Sequence, residues 1–309
     1  MKPGSAITLS AAWATLCAAA TAALFGVAVR SARGQAVDEL GMAASNRFLF
    51  AATPVAQTVL AAVSLVTLAA ACLAVAGIAV ARRRPLVAAG AVALVVGANL
   101  TTQGLKAHAL VRPAFGDGWP GNSFPSGHTT VAASIAFALI LVVAGRWRPA
   151  VAWAAGLYVG ATGLSTVVMG WHRPSDAVGG ILVAGAWAGL IGLIVAVIGV
   201  VREARARRLA PGGQAGPAGG AGSVGGAGLA WLGPARALTA VGAAGALIGL
   251  AASAALIGGV GENWMDWLGV AMTVFGVVGC GLLAAGVCLV MAQGGAPRRR
   301  PAASPTPKR

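Results

Sequence analysis

Long apolar stretches separated by short polar segments run through the whole chain. A helix that crosses the hydrocarbon core of a bilayer needs roughly 20 predominantly apolar residues. Stretches of this kind occur at 6–29, 55–81, 85–105, 129–145, 149–169, 177–200, 237–260 and 267–292. The pattern predicts an all-α fold, a polytopic membrane bundle of about eight spans, because only helices and closed barrels satisfy their backbone groups in lipid.

Polar and small-residue segments divide the chain into five parts. The predicted parts are a first membrane helix with an outside loop (1–48), a block of five helices with short connections (49–201), a Gly/Ala/Pro-rich flexible cytoplasmic linker (202–236), a two-helix membrane hairpin (237–292) and a basic disordered tail (293–309). The outside loop, RSARGQAVDELGMAASNRF, has mixed charge and no recognisable chemistry. The 49–201 block contains all of the histidines.

Composition supports a membrane protein and excludes a soluble domain. Hydrophobic residues make up 58% of the 309 residues and charged residues only 9%, which is too little charged surface for a soluble chain of this length. Lys2 before the first apolar run could indicate a cleaved signal peptide. The run is longer than a usual signal sequence, so a retained helix is expected.

The charge excess follows the predicted topology. The net charge is +15, and assigning the N-terminus and every second loop to one side places the whole excess there, including Arg82–Arg84, Arg146, Arg148 and the basic tail. The other side is balanced. The positive-inside rule then predicts that both termini are cytoplasmic, and the basic excess needs no nucleic-acid partner.

Small residues at helical spacing predict close contacts between helices. Gly156 and Gly160 lie on one predicted helix, and Gly185 and Gly189 on another, each pair with GxxxG spacing. Such pairs let helix backbones approach closely inside a membrane. The chain also has four cysteines, all within apolar stretches and without the spacing of a metal site. No metal and no cofactor are therefore expected.

The segment NSFPSGHTT, residues 122–130, carries the first candidate chemistry. Ser126 is a good N-cap, so a helix is expected to begin around Gly127 with the first amides unpaired. Such a helix start binds anions, phosphate in particular, and Gly127 leaves room for the anion to approach. His128 would stand beside it and could hold or donate a proton. A capped helix start with an interfacial histidine is the simpler alternative.

Two further polar groups flank predicted helices on the same side. Lys106 and Arg112 end the third span, where they could equally be snorkelling cations. His172 lies four residues before Asp176, a carboxylate that could fix the imidazole tautomer or merely form a helix-capping pair. Their occurrence on one face with His128 favours a catalytic site. His108, by contrast, is interpreted as an interfacial polar residue.

The order of these motifs resembles the type-2 phosphatidic acid phosphatase superfamily over roughly residues 55–200. The resemblance implies a six-helix phosphatase core and metal-independent hydrolysis of lipid phosphates through a phosphohistidine. It makes His172 the nucleophile, Asp176 its orienting partner and His128 the acid that protonates the leaving oxygen. By the same resemblance the phosphoryl oxygens are held by Lys106, Arg112, Ser126, Gly127, Ser165 and Thr166, with Arg173 as a further candidate.

Two departures from the family pattern concern the phosphate cradle. Ser165 is followed by Thr166 where the family usually has arginine, which replaces a guanidinium with a neutral hydroxyl. The interval between Lys106 and Arg112 is also one residue shorter than usual. Arg173, next to the predicted nucleophile, is a candidate to supply the missing charge.

The expected function is dephosphorylation of a membrane lipid phosphate or diphosphate at the extracytoplasmic face of the plasma membrane. The partners implied are this lipid and the membrane. A lipid phosphotransferase using the same phosphohistidine is one alternative. A catalytically weakened binding or scaffold protein, whose C-terminal hairpin engages an unknown protein partner, is the other.

Overall fold

The computed structural model describes residues 3–115, 121–209, 232–259 and 261–294, and within these ranges the chain is helical without strands. The α-helices are α1 (Pro3–Leu24), α2 (Ala32–Phe48), α3 (Thr53–Ala61), α4 (Leu65–Ala81), α5 (Pro85–Gly104), α6 (Gly127–Val142), α7 (Arg148–Val168), α8 (Pro174–Leu209), α9 (Leu232–Gly258) and α10 (Glu262–Gly294). Short π-helical turns extend α1 through Phe25–Val29 and α5 through Leu105–Ala109. The predicted all-α bundle is confirmed.

The predicted spans correspond to these helices. Six helices in the described ranges are long and apolar enough to cross a membrane, and the pair α3–α4, bent by 57° at its break, would make a seventh. The remaining stretch is α6, which is apolar but only 16 residues long. The chain is therefore a multi-pass membrane protein.

The segment predicted as an outside loop contains a helix, which the sequence interpretation did not include. Helix α2 begins after Ser31, whose side chain accepts a hydrogen bond from the Gly34 amide at 3.0 Å and so acts as an N-cap. Its apolar residues Val37 and Leu40, one turn apart, pack against the C-terminal hairpin. Helix α2 is not among the helices that could cross a membrane, and it lies across the end of the bundle that carries the histidines.

The linker is shorter than the sequence indicated. Helix α8 continues to Leu209 and α9 already begins at Leu232, so both ends of the predicted 202–236 linker are helical. The rest of that linker, residues 210–231, and the basic tail from residue 295 onward lie outside the described residues.

Glycines with GxxxG spacing allow two close helix contacts, as their spacing predicted. A Cβ on Gly156 would lie 3.0 Å from the Cα of Leu282, and one on Gly160 would lie 3.0 Å from the Cα of Val278, so α10 packs directly on α7. On α8, a Cβ at Gly189 would lie 2.7 Å from the backbone nitrogen of Ala14 in α1. Glycine is needed at these positions because any larger residue would push the helices apart.

The C-terminal hairpin shares the main hydrophobic core. Leu238 of α9 and Leu289 of α10 are fully buried in the same cluster as Phe137 of α6 and Ile181 of α8. The hairpin is thus a packed part of the bundle that also contains the histidines.

Two glycines of α8 bring the start of α6 against the start of α8. A Cβ on Gly179 would lie 2.5 Å from the Phe124 ring, and one on Gly180 would lie 2.7 Å from the carbonyl oxygen of Ser126. The Ser126 amide also donates to the carbonyl of Asp176 at 2.8 Å. These contacts hold the PSGH turn beside the first turn of α8.

Candidate active site

One cavity lies beside the start of α6 and is lined by several of the candidate site residues. It has a volume of about 620 Å³, and Lys106, His128 and His172 line its polar end. Leu68 of α4 and Val95 of α5 are among the apolar residues of its other walls. A polar site that opens into an apolar cleft between α4, α5 and α6 suits a molecule with an anionic head and a hydrocarbon body.

His172 is oriented by the first turn of α8. Its Nδ1 lies 3.3 Å from Oδ2 of Asp176, a carboxylate that is completely buried. Pro174 begins α8, as its position in the sequence predicted. An Nδ1–H donated to the carboxylate leaves Nε2 without a proton, and therefore nucleophilic.

The same carboxylate oxygen accepts two further hydrogen bonds. Ser123 donates its hydroxyl proton to Oδ2 of Asp176 at 2.6 Å, and the Arg173 amide donates to it at 3.0 Å. The other oxygen, Oδ1, is buried and has no hydrogen-bond partner among the described residues. Three donors on Oδ2 fix the side chain of Asp176 and stabilise its charged form.

The start of α6 has the predicted geometry. Helix α6 begins at Gly127, and the buried Ser126 side chain caps it by accepting from the Thr129 amide at 3.4 Å and from the Thr129 hydroxyl at 3.1 Å. The amides of Gly127 and His128 have no acceptor among the described residues. The predicted cap is confirmed, but the Ser126 hydroxyl is occupied by it and does not line the cavity.

His128 stands in the first turn of α6, where the sequence placed it. Its ring contacts the ring of Trp171, with the centroids 5.5 Å apart. Trp171 immediately precedes His172, so this contact ties the His128 side of the cavity to the His172 side. Gln103 also lines the cavity, and its side-chain amide lies 3.6 Å from where a Cβ on Gly127 would be.

Arg112 and Arg173 lie together, but neither lines the cavity. Arg112 is buried, pairs with Asp38 of α2 at 3.8 Å and donates a long hydrogen bond of 3.5 Å to Ser123. Arg173 is also buried, donates to the Ser123 hydroxyl at 3.2 Å and forms an ion pair with Glu39 of α2. Burial lowers the pKa of the Arg112 guanidinium, and the neighbouring positive charge of Arg173 lowers it further.

Ser165 and Thr166 are not brought to the cavity, which departs from the predicted phosphate cradle. Both are buried in the last turns of α7. The Thr166 hydroxyl donates to the Gly163 carbonyl at 2.7 Å, while its own carbonyl accepts from the amides of Trp171 and His172. Thr166 therefore shapes the turn that presents His172, and its hydroxyl is not free to bind an anion.

Sequence reasoning did not identify Asp38, Glu39, Ser123 or Gln103 as site residues. Asp38 and Glu39 lie in the predicted outside loop, and Ser123 lies within NSFPSGHTT without a predicted role. A usable signal for α2 was Ser31, which stands where an N-cap would begin a helix. No sequence signal paired Glu39 of α2 with Arg173, which lies 134 positions further along the chain.

Comparison with known proteins agrees with this geometry. Residues 58–198 match the PAP2 superfamily. No curated protein and no solved structure matches the chain. This match confirms the predicted resemblance to type-2 phosphatidic acid phosphatases for this part of the chain. A PAP2 domain implies phosphatase activity on lipid-like phosphates.

Proposed function

We propose that the protein hydrolyses a membrane lipid phosphate or diphosphate, without a metal ion and through a phosphohistidine formed on His172. The observation that carries the proposal is the cavity itself: Lys106 after α5, His128 at the start of α6 and His172 before α8 line one cavity that continues into an apolar cleft. Asp176 beside His172 adds the orienting carboxylate. A nucleophile, an acid and a cation around one space form the set that phosphoryl transfer requires.

In the first step, the phosphoryl group sits between the two histidines. Nε2 of His172 attacks phosphorus in line, and the bond from phosphorus to the lipid oxygen breaks. His128 gives its proton to that oxygen, which leaves as a lipid alcohol or lipid phosphate. Lys106 and the free amides at the start of α6 stabilise the charge on the equatorial oxygens.

In the second step, water replaces the lipid. His128, now without its proton, takes a proton from the water as the water attacks phosphorus. The bond between phosphorus and His172 breaks, inorganic phosphate leaves, and both histidines return to their starting states. Asp176 stabilises the positive charge that His172 carries in the phosphorylated form.

The substrate is proposed to enter from the bilayer on the extracytoplasmic side of the plasma membrane. The distribution of basic residues supports this side, and the apolar lining of the cleft supports a hydrocarbon chain as the body of the substrate. Candidate substrates are a polyprenyl diphosphate carrier lipid, phosphatidylglycerophosphate and phosphatidic acid.

The test is a panel of these lipids assayed with the purified full-length protein in detergent and EDTA. We expect phosphate release that is inhibited by vanadate and abolished in His172→Ala. Labelled phosphate should be trapped on the wild-type protein in acid-labile form. His108→Ala is the matched control, because His108 is exposed and does not line the cavity, and it should retain wild-type turnover.

Each alternative has its own outcome in the same assay. Loss of turnover in EDTA that returns with a divalent cation would contradict the metal-independent mechanism. Transfer of labelled phosphate to a sugar or lipid hydroxyl would indicate a phosphotransferase. Absence of release from every lipid, equal to that of His172→Ala, would favour the scaffold function.

A further inference from the structure

Helix α2 carries the acidic residues that reach the site. Gln35, Asp38, Glu39 and Asn46 lie at spacings that place them along one side of a helix. Gln35 donates to the Pro113 carbonyl at 2.8 Å and Asn46 donates to the Val168 carbonyl at 2.8 Å. Helix α2 is thus bonded near one end to the loop after α5 and near the other end to the last residue of α7, with its two carboxylates between these contacts.

The two carboxylates hold the two buried arginines. Glu39 pairs with Arg173 through both Nε, at 2.6 Å, and Nη2. Asp38 accepts from the Ser175 amide at 2.9 Å and lies 3.8 Å from Nη2 of Arg112. Two guanidinium groups buried side by side repel each other, so their shared position depends on these opposing charges.

Both arginines converge on the Ser123 hydroxyl. A serine hydroxyl has one proton to donate and two lone pairs that accept. Arg173 donates to it at 3.2 Å and Arg112 at 3.5 Å. With both lone pairs directed at arginine N–H groups, the hydroxyl proton points at Asp176, in agreement with the short 2.6 Å contact to Oδ2.

We propose that α2 positions the nucleophile through this chain of hydrogen bonds. Asp38 and Glu39 hold Arg112 and Arg173, the arginines orient the Ser123 hydroxyl, and Ser123 holds Asp176 in the rotamer that orients His172. Ser123, Asp38 and Glu39 are thereby positioning residues, and Arg173 acts on Ser123 instead of replacing the missing arginine of the phosphate cradle. The inference rests on the proposed role of His172 as nucleophile.

The central experiment compares Ser123→Ala, Glu39→Gln and the double variant in the lipid phosphatase assay. Loss of one hydrogen bond to a charged group lowers a rate or equilibrium constant by roughly tenfold. Each single variant should therefore lower kcat by about that factor. If Glu39 acts through Ser123, adding Glu39→Gln to Ser123→Ala should cost less than twofold more, which is strong non-additivity. If Glu39→Gln lowers kcat by the same factor in the wild type and in Ser123→Ala, the proposal is overturned.

Two further measurements separate positioning from other roles. The affinity for inorganic phosphate, measured as product inhibition, should change less than about threefold in these variants, because Ser123 and Glu39 do not line the cavity. A loss of phosphate affinity as large as the loss of kcat would place the arginines on the phosphate itself and overturn the proposal. Ser123→Thr, which keeps a hydroxyl, should retain more turnover than Ser123→Ala; equal turnover would also overturn it.

Asp38 adds a pH-dependent readout. Burial, together with the charge of Asp176, raises the pKa of Asp38 to about 7. Arg112 also faces Asp38, and the neighbouring Glu39 is paired with Arg173. Raising the pH ionises Asp38 and strengthens its hold on Arg112, whereas the amide of Asp38→Asn resembles the protonated acid. The ratio of wild-type to variant kcat should therefore be larger at pH 8 than at pH 6, and a ratio independent of pH would contradict the role of Asp38.

The control variant is Asp266→Asn, which breaks the exposed ion pair between Arg47 and Asp266, 3.0 Å long, at the far end of α2. It should leave kcat unchanged, and a tenfold loss here would show that any disturbance of α2 has the same effect. Thermal melting of each variant checks folding.

If the proposed function fails, the wild type releases no phosphate or His172→Ala remains active, whereas failure of this inference leaves an active enzyme insensitive to Glu39→Gln.

Discussion

At the scale of single residues, the two histidines have different surroundings that match different tasks. His172 is fixed by Asp176 at 3.3 Å, which suits the proposed role of nucleophile. His128 has no carboxylate partner among the described residues and contacts the ring of Trp171 instead. A histidine that is not held by a carboxylate can release its proton to a leaving group more readily.

The acid role proposed for His128 predicts a dependence on the leaving group. His128→Ala should slow hydrolysis of a lipid phosphate by roughly 10²–10⁴-fold, because an alkoxide leaves poorly without a proton. With p-nitrophenyl phosphate the leaving group needs no proton, so a rapid burst of p-nitrophenol should remain, followed by slow turnover of the phosphorylated enzyme. Stopped-flow absorbance measures the burst. Equal losses in the first step for both substrates would contradict the role of His128 as acid.

At the scale of elements, the start of α8 is the point where the separate motifs meet. Its first turn contains Asp176, and the Arg173 amide donates a hydrogen bond to that carboxylate. One turn later, the carbonyl oxygen of Ser126 packs closely against Gly180. The GxxxG pairs on α7 and α8 keep α10 and α1 close behind it. The accuracy of the site therefore depends on close backbone packing as much as on its polar residues.

Gly180→Ala should disturb the site by overpacking. The new methyl group would lie 2.7 Å from the Ser126 carbonyl oxygen, and relief of this contact would shift the start of α6 at a cost of roughly 1–3 kcal/mol. We expect a lower melting temperature and lower kcat. Gly199→Ala on the same helix is the control, because a Cβ there meets nothing within 4 Å, and it should be neutral or slightly stabilising. Equal melting temperatures for the two variants would show that the close contact at Gly180 has no energetic effect.

At the scale of the whole molecule, the charge distribution predicts the orientation in the membrane. Val111 lies next to the site and is 73% exposed, whereas Trp147 precedes α7 at the opposite end of the bundle and is 57% exposed. We expect a membrane-impermeant thiol reagent to label Val111→Cys in intact cells and Trp147→Cys only after permeabilisation. The unsubstituted chain gives the background of its own cysteines. The reverse pattern would place the active site in the cytoplasm.

Features that depend on local chemistry and composition could be predicted from the amino-acid sequence. Apolar length defined the membrane helices, and Ser126 before Gly127 defined the start of α6, because a cap satisfies amides within its own turn. The order of PSGH and the later His–Asp pair was specific enough to indicate the superfamily that residues 58–198 match. Small-residue spacing predicted the close helix contacts, although not the partners α10 and α1.

The pairing of the acids of α2 with the two buried arginines depends on the three-dimensional fold. Glu39 and Arg173 are 134 positions apart, and no periodic pattern in α2 predicts that its acids face the arginines. In the structure, the Thr166 hydroxyl donates to a carbonyl of its own helix, and Arg173 does not line the cavity. The physical reason is that a buried charge needs an opposing charge or hydrogen-bond donors wherever the fold brings them, and long-range packing chooses that place.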